Sequence, residues 1–423
     1  MPSPLEQIAD SVLGSIRESG TYRRMRVLDG LQGPRMIVDG REVLLFAGSN
    51  YLDLARHPEV VEAAERGARD WGCAAGGSRL ITGNLAIHEA LEAELAQFFG
   101  SEAALAFNTG YMANVGVIPA LVGPGDVLVS DELNHASIID GARLARAEVA
   151  VFRHGDVDSF ADVLTEARTK ARRVLVAVDG VYSMDGDVAP VAEIVKRAHE
   201  ADAMVLLDDA HGTGVLGARG RGTAEAAGVL ADVDILMGTL GKSIGSFGAF
   251  IAGKASLRDL LINTARSFIF SCALAPAQVE AARVSIRLID EEPWRRERLA
   301  ANCDRLRRRL AASDISTAPS TTHILPVVLG ENERTMGVCE DLLERGYYAQ
   351  GIRHPSVPRG SARLRITPMA THDESEIDGL ADAIVDSIRV VDARDDIGGR
   401  TGGRTTGLAA SATADVSVNR IGE

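Results

Sequence analysis

Met204-Val-Leu-Leu-Asp-Asp-Ala-His-Gly-Thr-Gly-Val-Leu-Gly217 is the stretch of this 423-residue chain from which its fold is predicted. An apolar run of strand length ends in Asp208 and Asp209, and His211 follows. The run is apolar on both faces, which is typical of a parallel sheet covered by helices on each side. Functional residues of such sheets gather just beyond the carboxyl ends of the strands, where these polar side chains lie.

Similar apolar runs, separated by helical patterns, occur through the first two thirds of the chain. We predict strands at residues 103–107, 126–130, 149–152, 174–179, 203–208, 234–239 and 249–252. Alternating strands and helices predict an α/β fold. The large domain is therefore expected to have three layers, α/β/α, around a mostly parallel seven-stranded sheet.

The pattern changes along the chain and predicts four parts. They are an N-terminal helix and β-hairpin, the large domain, a smaller α+β C-terminal domain, and a disordered tail, at residues 1–48, 49–285, 286–394 and 395–423. Asp39-Gly40 is the turn signal of the hairpin. Thr371 and Glu374 stand at capping-box spacing and predict the start of the last helix. The tail is rich in Gly, Thr, Ala and Ser and lacks aromatic residues.

Composition excludes several classes of function. The net charge of −14 argues against nucleic acid as a partner, because phosphate binding needs a basic surface. No apolar run approaches the roughly 20 residues of a membrane span, and the N-terminus lacks a signal-peptide pattern, so we expect a cytoplasmic protein without membrane contact. The four cysteines are widely spaced without a CxxC pair, which predicts reduced thiols and no metal site.

Lysine is rare in this chain, and this rarity draws attention to Lys242. Only four of the 45 basic residues are lysines, and Lys170 and Lys196 lie in charged helical patterns where a solvated lysine is ordinary. Lys242 instead follows an apolar strand and is flanked by glycines. A buried ammonium there needs a partner or a lowered pKa. One use of such a lysine is a Schiff base with a carbonyl cofactor.

Two nucleotide-binding patterns occur at these positions, and both are incomplete. Gly212-x-Gly214-x-x-Gly217 follows a strand, as in dinucleotide-binding folds. The glycine-rich segment after it is a poor helix start, and the aspartates before it would repel a pyrophosphate. Gly241-Lys-Ser243 ends like a phosphate-binding P-loop, but Leu236 stands where the first glycine is required. A nicotinamide-dependent oxidoreductase therefore stays only an alternative.

Other candidates follow the remaining strands. Asn108-Thr-Gly-Tyr-Met-Ala-Asn114 is a strand–turn–helix segment that could bind an anion through backbone N–H groups, or be a plain turn. His135 and Ser183 each come after a strand, although a structural histidine and an Asp-Gly turn are the simpler interpretations. Arg363 and Arg365 share one face of a strand and could bind a carboxylate, or form a solvated surface.

Together these segments resemble the α-oxoamine synthases, pyridoxal-phosphate (PLP) enzymes of fold type I, the aspartate aminotransferase fold. The resemblance extends from about Ser49 to the last helix. Its motifs occur in family order: Gly77-Ser-Arg79, Asp131-x-x-x-His-Ala-Ser137, Ser183-Met-Asp-Gly-Asp187, Asp208-Asp-Ala-His-Gly212, Thr239-x-Gly-Lys242 and Ala362-Arg-Leu-Arg365.

The resemblance implies a role for each candidate. Lys242 would bind PLP as a Schiff base and move protons at the substrate α-carbon, and Asp208 would keep the pyridine nitrogen protonated. His135 would stack on the ring, and Ser183 and His211 would contact its phenolic oxygen. The cofactor phosphate would be held by Gly110, Tyr111 and Thr239. Substrate would be bound by Asn50, Arg353, Ser356 and Arg365.

The resemblance also implies a reaction, the decarboxylative condensation of an amino acid with an acyl thioester. Several segments, among them Gly351-Ile-Arg-His-Pro-Ser-Val-Pro358, resemble members that use L-alanine and a pimeloyl thioester of coenzyme A or acyl-carrier protein. His354 stands where those members usually have proline, which bears on acyl specificity. Glycine with a short acyl group is the nearest alternative. A homodimer with its active site at the subunit interface is expected.

Overall fold

The computed structural model describes residues 2–399. Its helices are α1 (Pro4–Glu18), α2 (Pro58–Trp71), α3 (Ala86–Phe99), α4 (Gly110–Leu121), α5 (Ala136–Ala145), α6 (Val157–Lys170), α7 (Val191–Glu200), α8 (Thr223–Ala226), α9 (Ala255–Thr264), α10 (Arg266–Ile269), α11 (Pro276–Glu291), α12 (Trp294–Ala311), α13 (Asn332–Glu344) and α14 (Glu374–Gly399). Its strands are β1 (Leu28–Asp29), β2 (Arg35–Val38), β3 (Arg41–Leu45), β4 (Ala103–Phe107), β5 (Val127–Asp131), β6 (Glu148–Phe152), β7 (Val174–Asp179), β8 (Met204–Asp208), β9 (Ile235–Thr239), β10 (Ala249–Gly253), β11 (Leu325–Gly330), β12 (Tyr347–Tyr348), β13 (Gln350–Ile352) and β14 (Ala362–Ile366).

The central sheet has seven strands in the order β4-β10-β9-β8-β7-β5-β6. Strands β9, β8, β7, β5 and β6 pair in parallel, whereas β10 is antiparallel to both of its neighbours. Each of the seven predicted strands is present, with bounds that differ by at most one residue at either end. The prediction of an α/β fold around a mostly parallel seven-stranded sheet is confirmed.

Both faces of this sheet are buried, which explains why its strands read as continuous apolar runs. In β7, Val174, Val176 and Val178 face one hydrophobic cluster, whereas Leu175 and Ala177 face a second. Helices supply the other side of each cluster. The three layers predicted for the large domain follow from this two-sided burial.

The N-terminal and C-terminal parts of the chain are joined by a strand pairing. Strands β2 and β3 form the predicted hairpin, and Asp39 and Gly40 both have positive φ, 49° and 79°, as a tight two-residue turn requires. Strand β3 also pairs in parallel with β12. A separate three-stranded sheet, in the order β11-β14-β13, belongs to the C-terminal part.

The last helix begins in a different way from the one predicted. Thr371 does not cap it, because its hydroxyl donates to Asp53 Oδ2 at 2.7 Å. Glu376, rather than Glu374, accepts a hydrogen bond from the backbone N–H of Asp373 at 2.9 Å. The capping-box prediction was therefore wrong, because a tertiary contact engages the threonine. Helix α14 extends through residues 395–399, and the rest of the predicted tail, 400–423, lies outside the described residues.

The structure also bears on the predicted absences. Within residues 2–399 there is no helix long and apolar enough to cross a membrane. The same part of the chain has no group of three or more His, Cys, Asp or Glu side chains arranged to hold a metal ion. The division into four domains at the residue numbers given above stays a prediction.

Candidate active site

The carboxyl ends of three adjacent parallel strands bring the central polar residues together. Asp179 ends β7 and Asp208 ends β8, and the sheet register pairs these two residues directly. Strand β9 ends at Thr239, and the loop after it carries Lys242. The sheet thus places two carboxylates and an amine at one edge, as expected for a parallel sheet.

Lys242 is the end of a short hydrogen-bonded chain. Its Nζ lies 3.0 Å from Nε2 of His211, and Nδ1 of His211 lies 2.8 Å from the hydroxyl of Tyr51. Burial lowers the pKa of Lys242 below its usual value of 10.5. Burial is the main reason why the pKa of His211 lies well below 6.5, and Arg365 acts in the same direction. The imidazole of His211 is therefore neutral at physiological pH.

Asp208 is buried and held in one orientation. Asn114 Nδ2 donates to its Oδ2 at 2.7 Å, and the backbone N–H of Ala210 donates to Oδ1 at 3.2 Å. Asn114 also donates to Ser137 Oγ at 2.8 Å, so helices α4 and α5 both contribute to this arrangement. A buried carboxylate fixed in this way is suited to pair with a cationic ring nitrogen.

His135 follows β5 and caps helix α5. Its Nδ1 accepts the backbone N–H of Ser137 at 3.2 Å, and its own backbone N–H donates to Asp179 Oδ2 at 2.7 Å. Burial of the ring in its pocket and the charge of Lys242 lower the pKa of His135, although Asp208 opposes them. Burial, followed by the charge of Asp208, raises the pKa of Asp179 well above 3.8. A neutral imidazole can stack on an aromatic ligand without bringing a charge.

The segment expected to bind a phosphate is the N-terminus of α4, which begins at Gly110. Its N-cap, Thr109, accepts the backbone N–H of Met112 at 3.1 Å. A Cβ on Gly110 would lie 2.9 Å from Thr239 Cγ2, so only glycine lets the helix approach the end of β9 this closely. Tyr111 is half exposed and donates its hydroxyl to Asp140. The free N–H groups of a helix N-terminus favour an anion.

Both arginines of β14 are buried, so the solvated-strand interpretation is excluded. Arg365 donates from Nε to the carbonyl oxygen of Ser183 at 2.6 Å. Arg363 pairs with Asp185 in the same loop. Among the described side chains, Arg365 makes no other hydrogen bond, which leaves its terminal nitrogens available for a carboxylate.

The remaining substrate-binding candidates lie in two other places. Asn50 is buried, and its amide donates to Gln32 O at 3.1 Å, in the segment before β2, and to Asp53 Oδ1 at 3.3 Å, and accepts from Ala55 N at 3.2 Å. Arg353 donates to the carbonyl oxygen of Tyr22 at 2.6 Å. Ser356 accepts from Arg23 at 3.4 Å. The loop of Arg353 and Ser356 therefore contacts the N-terminal segment, and its hydrogen bonds do not reach the Lys242 cluster.

The structure adds site residues that the sequence analysis missed. Neither Tyr51 nor Asp179 was given a role there. His323 was given no role, yet its ring packs edge-on against Tyr51 with 4.1 Å between ring centroids. Both nitrogens of His323 are buried without a hydrogen-bond partner in the described chain. Burial and the charge of Arg365 lower its pKa to about 3. Only its proximity in space could reveal this residue.

His154 links the loops that surround the site. Its Nδ1 lies 3.0 Å from Asp131 Oδ1 and its Nε2 lies 2.8 Å from Asp187 Oδ2. Burial alone would lower the pKa of His154, but the hydrogen bonds to these two carboxylates raise it to about 10. A protonated His154 therefore connects the ends of β5, β6 and β7.

The incomplete dinucleotide-binding pattern that begins at Gly212 does not form its motif. The chain from Gly212 to Gly222 consists of turns and an isolated bridge between Thr213 and Arg221, so the Gly212 pattern does not open a helix. Gly212 packs against Asp209, whose oxygen would lie 2.1 Å from an added Cβ. These glycines accommodate a buried carboxylate, which is not a place for a pyrophosphate.

Comparisons with known proteins agree with this geometry. The family model for aminotransferase class I and II matches residues 41–384. The 8-amino-7-oxononanoate synthase of Geobacter sulfurreducens is 49% identical over 368 residues, which cover 86% of this chain and 94% of that protein.

Two solved structures share the fold over nearly the whole chain. Sphingomonas wittichii serine palmitoyltransferase has a TM-score of 0.87 at 33% identity and covers 93% of this chain and 100% of that one. A variant of serine palmitoyltransferase from S. paucimobilis, with a bound PLP–myriocin aldimine, has a TM-score of 0.87 at 31% identity and the same coverage. The similarity therefore extends through both the large sheet and the C-terminal sheet.

Proposed function

Because the chain belongs to the class I and II aminotransferase family, we propose that it is a PLP-dependent acyltransferase that makes 8-amino-7-oxononanoate. It condenses L-alanine with a pimeloyl thioester and releases carbon dioxide and the thiol carrier. The observation that carries the proposal is the placement of Lys242, with a lowered pKa, beside His211 and the strand-end carboxylate Asp208. The 49% identity to a synthase of that name supports the substrate pair.

The residues present fit PLP. Lys242 is the amine for its aldehyde, and the N-terminus of α4 at Gly110 is the place for its phosphate. Gly110 leaves no room for a Cβ beside Thr239, so the backbone itself forms this part of the cradle. Asp208 is the carboxylate for the pyridine nitrogen. When bound, PLP supplies a ring that withdraws electrons from the substrate α-carbon.

Lys242 has two tasks in this proposal. Burial favours its uncharged form, which is the form that can act as a nucleophile and as a base. It would bind the cofactor, and after L-alanine has displaced it, the freed amine would remove the α-proton. The same amine would return a proton to that carbon after carbon dioxide has left.

The other residues would orient the cofactor and the amino acid and would polarise the cofactor ring. Asn114 and the Ala210 N–H hold Asp208 in the orientation in which it would pair with a protonated ring nitrogen. His135 would cover one face of the ring, and Ser183 and His211 would bind its phenolic oxygen. Arg365, fixed through Nε on the Ser183 carbonyl, would bind the alanine carboxylate with its terminal nitrogens.

The acyl end and the assembly complete the proposal. Arg353 and Ser356 would bind the acyl substrate, Asn50 would help to orient the amino acid, and coenzyme A or acyl-carrier protein would carry the pimeloyl group. We also propose a cytoplasmic homodimer. Exposed apolar side chains support an interface, because Ile81 is 79% and Phe270 is 70% exposed and the adjoining Ser78 and Cys272 pair as a bridge.

Product formation with defined substrates tests the function. The PLP-loaded protein is incubated with L-alanine or glycine and with pimeloyl or acetyl thioesters of each carrier, and products are identified by mass spectrometry. We expect 8-amino-7-oxononanoate from L-alanine and a pimeloyl thioester, with one carbon dioxide per turnover. Preferred use of glycine with acetyl-coenzyme A would contradict the proposed substrates while keeping the reaction type.

A further inference from the structure

Tyr51 has a buried hydroxyl with a single partner. The residue is 0% exposed, and among the described side chains its Oη forms a hydrogen bond only with His211 Nδ1, at 2.8 Å. A buried phenol proton without an acceptor is unfavourable by about 1–3 kcal/mol. The proton of Tyr51 must therefore point at Nδ1, which makes Nδ1 the accepting nitrogen of His211.

The direction of this hydrogen bond fixes the proton positions in the hydrogen bond between His211 and Lys242. A neutral imidazole carries one proton, so when Nδ1 accepts, Nε2 must hold the N–H. That N–H points at Lys242 Nζ, 3.0 Å away. An ammonium has only donors and could not accept it, whereas an uncharged amine has a lone pair that can. The network is satisfied only when Lys242 is uncharged.

We propose that Tyr51 is a positioning residue that fixes His211 in the Nε2–H tautomer and thereby holds Lys242 as an uncharged amine. The proposal deepens the proposed function and rests on it for the role of Lys242. With PLP present, the same N–H would be the donor available to a phenolic oxygen. Among the described hydrogen bonds, Tyr51 contacts His211 and not Lys242, so its control of the amine passes through His211.

His323 supports the position of the phenol. It is 3% exposed, and its ring meets that of Tyr51 edge-on at an interplanar angle of 64°. Its pKa of about 3 keeps it neutral, so it adds no charge beside the hydrogen bonds that join Tyr51, His211 and Lys242. The charged or titratable groups that act on Lys242 and His211 are Arg365, Asp208, Asp179, His135, His323 and Tyr51.

The tautomer can be measured in the unaltered protein. Nitrogen-15 NMR of the full-length chain labelled at histidine, without PLP, distinguishes a protonated nitrogen from an unprotonated one, and the His211→Gln variant assigns the His211 signals. We expect a protonated Nε2 and an unprotonated Nδ1 at pH 7. A protonated Nδ1, or a doubly protonated ring, would overturn the proposal. This readout is independent of product formation, so failure of the proposed reaction is seen separately.

The effect on Lys242 can be measured by its reactivity. In Tyr51→Phe, Nδ1 is free to keep the proton, Nε2 becomes an acceptor, and the ammonium form of Lys242 is favoured. Modification by trinitrobenzenesulfonate at pH 8, quantified at each lysine by peptide mass spectrometry, should be roughly fivefold slower at Lys242, the factor expected from one hydrogen bond. Lys254 is the internal reference.

Tyr182→Phe is the matched control. Tyr182 is also a buried tyrosine, but its ring packs on His154 and it takes no part in the hydrogen bonds that join Tyr51, His211 and Lys242. This variant should leave the pH dependence of Lys242 modification unchanged. If the pH dependence of Lys242 modification in Tyr51→Phe equals that in the unaltered protein, Tyr51 has no specific role and the proposal fails. The proposal also fails if both variants change this pH dependence equally.

Discussion

At the scale of single residues, the site lowers the pKa of one amine that is surrounded by several titratable groups. Lys242 lies near Asp208 and Asp179, which favour its ammonium form, and near Arg365, which disfavours it. Burial is the largest influence, and the net result is a lowered pKa. The pKa of Lys242 is therefore lowered because the amine is buried at the strand ends, although two carboxylates lie nearby.

Gly110→Ala tests how closely helix α4 must approach β9. The added Cβ would lie 2.9 Å from Thr239 Cγ2 and 3.1 Å from Met237 Cε, so the helix N-terminus or the strand end must shift. Overpacking of this kind is unfavourable by about 1–3 kcal/mol. We expect PLP affinity, measured by absorbance titration, to fall about tenfold. Gly14→Ala, in a helix with open space around the glycine, is the control. Equal PLP affinities for both variants would show that PLP binding does not need the close approach of α4 to β9.

The sequence predicted most of the residues at the strand ends, but it predicted their partners poorly. Asp208, His211 and Lys242 stood out because polar residues after apolar runs are unusual. Asn114 and Tyr51 lie far from them along the chain, and only the fold brings them within hydrogen-bonding distance. Asn50 was expected to bind substrate, and its amide forms hydrogen bonds with Gln32 and Ala55. Hydrogen-bond partners of this kind depend on tertiary geometry, which periodicity does not encode.

At the scale of elements, the loops after β5, β6 and β7 are connected by one protonated histidine. His154 follows β6 and bridges Asp131 at the end of β5 to Asp187 beyond β7. Both of its nitrogens act as donors, which requires the charged form. The loops that carry His135 and Ser183 are thereby held against each other from outside the site.

The His154 bridge predicts a particular dependence of stability on pH. The folded-state pKa is about 10 and the ordinary value is 6.5, so the stabilisation is complete below pH 6.5 and is lost as pH rises through 10. His154→Gln should lower the free energy of unfolding by about 3 kcal/mol near pH 6. The difference from the unaltered protein, measured by denaturant unfolding, should vanish above pH 10.

His199→Gln is the control for this comparison. His199 also pairs with an aspartate, Asp234 at 3.0 Å, but both side chains are exposed. An exposed pair contributes about 0–1 kcal/mol, so this variant should be nearly neutral at every pH. A His154 variant whose destabilisation is as large at pH 10.5 as at pH 6 would show that the histidine acts by packing and not by charge.

Strands were predicted more accurately than helix ends. The seven strands of the main sheet are buried on both faces, so burial and sequence pattern coincide. The segment from Pro276 to Ala311 contains two helices, α11 and α12, which are divided at Glu292 and Pro293. Proline cannot continue the backbone hydrogen bonding of a helix, which explains the division. The Thr371 cap was wrong because Asp53, far away in sequence, accepts its hydroxyl proton.

At the scale of the whole molecule, one group of exposed apolar side chains lies on two segments that a strand bridge joins. Leu80, Ile81 and Phe270 are exposed, and the bridge between Ser78 and Cys272 holds their segments together. Arg79, between them, is buried and pairs with Glu92. An exposed apolar patch on an acidic protein is suited to a contact with a second copy.

Ile81→Asp combined with Phe270→Asp tests that contact. Two carboxylates within the apolar patch should prevent association, and light scattering should give the mass of one chain where the unaltered protein gives twice that mass. Turnover should fall with dimer content if the site is completed across the interface. Val328→Asp, at an exposed apolar position of β11, should leave the measured mass and the turnover unchanged. A double variant that stays dimeric would place the interface elsewhere.

The measurement that tests the account most directly is the position of the covalent bond between cofactor and protein. The protein is loaded with PLP, reduced with borohydride, digested and analysed by mass spectrometry, and the chain offers only four lysines. We expect the pyridoxyl group on Lys242, and we expect Lys242→Ala to abolish both the label and the yellow colour. A label on Lys170, Lys196 or Lys254, or no label at all, would contradict it.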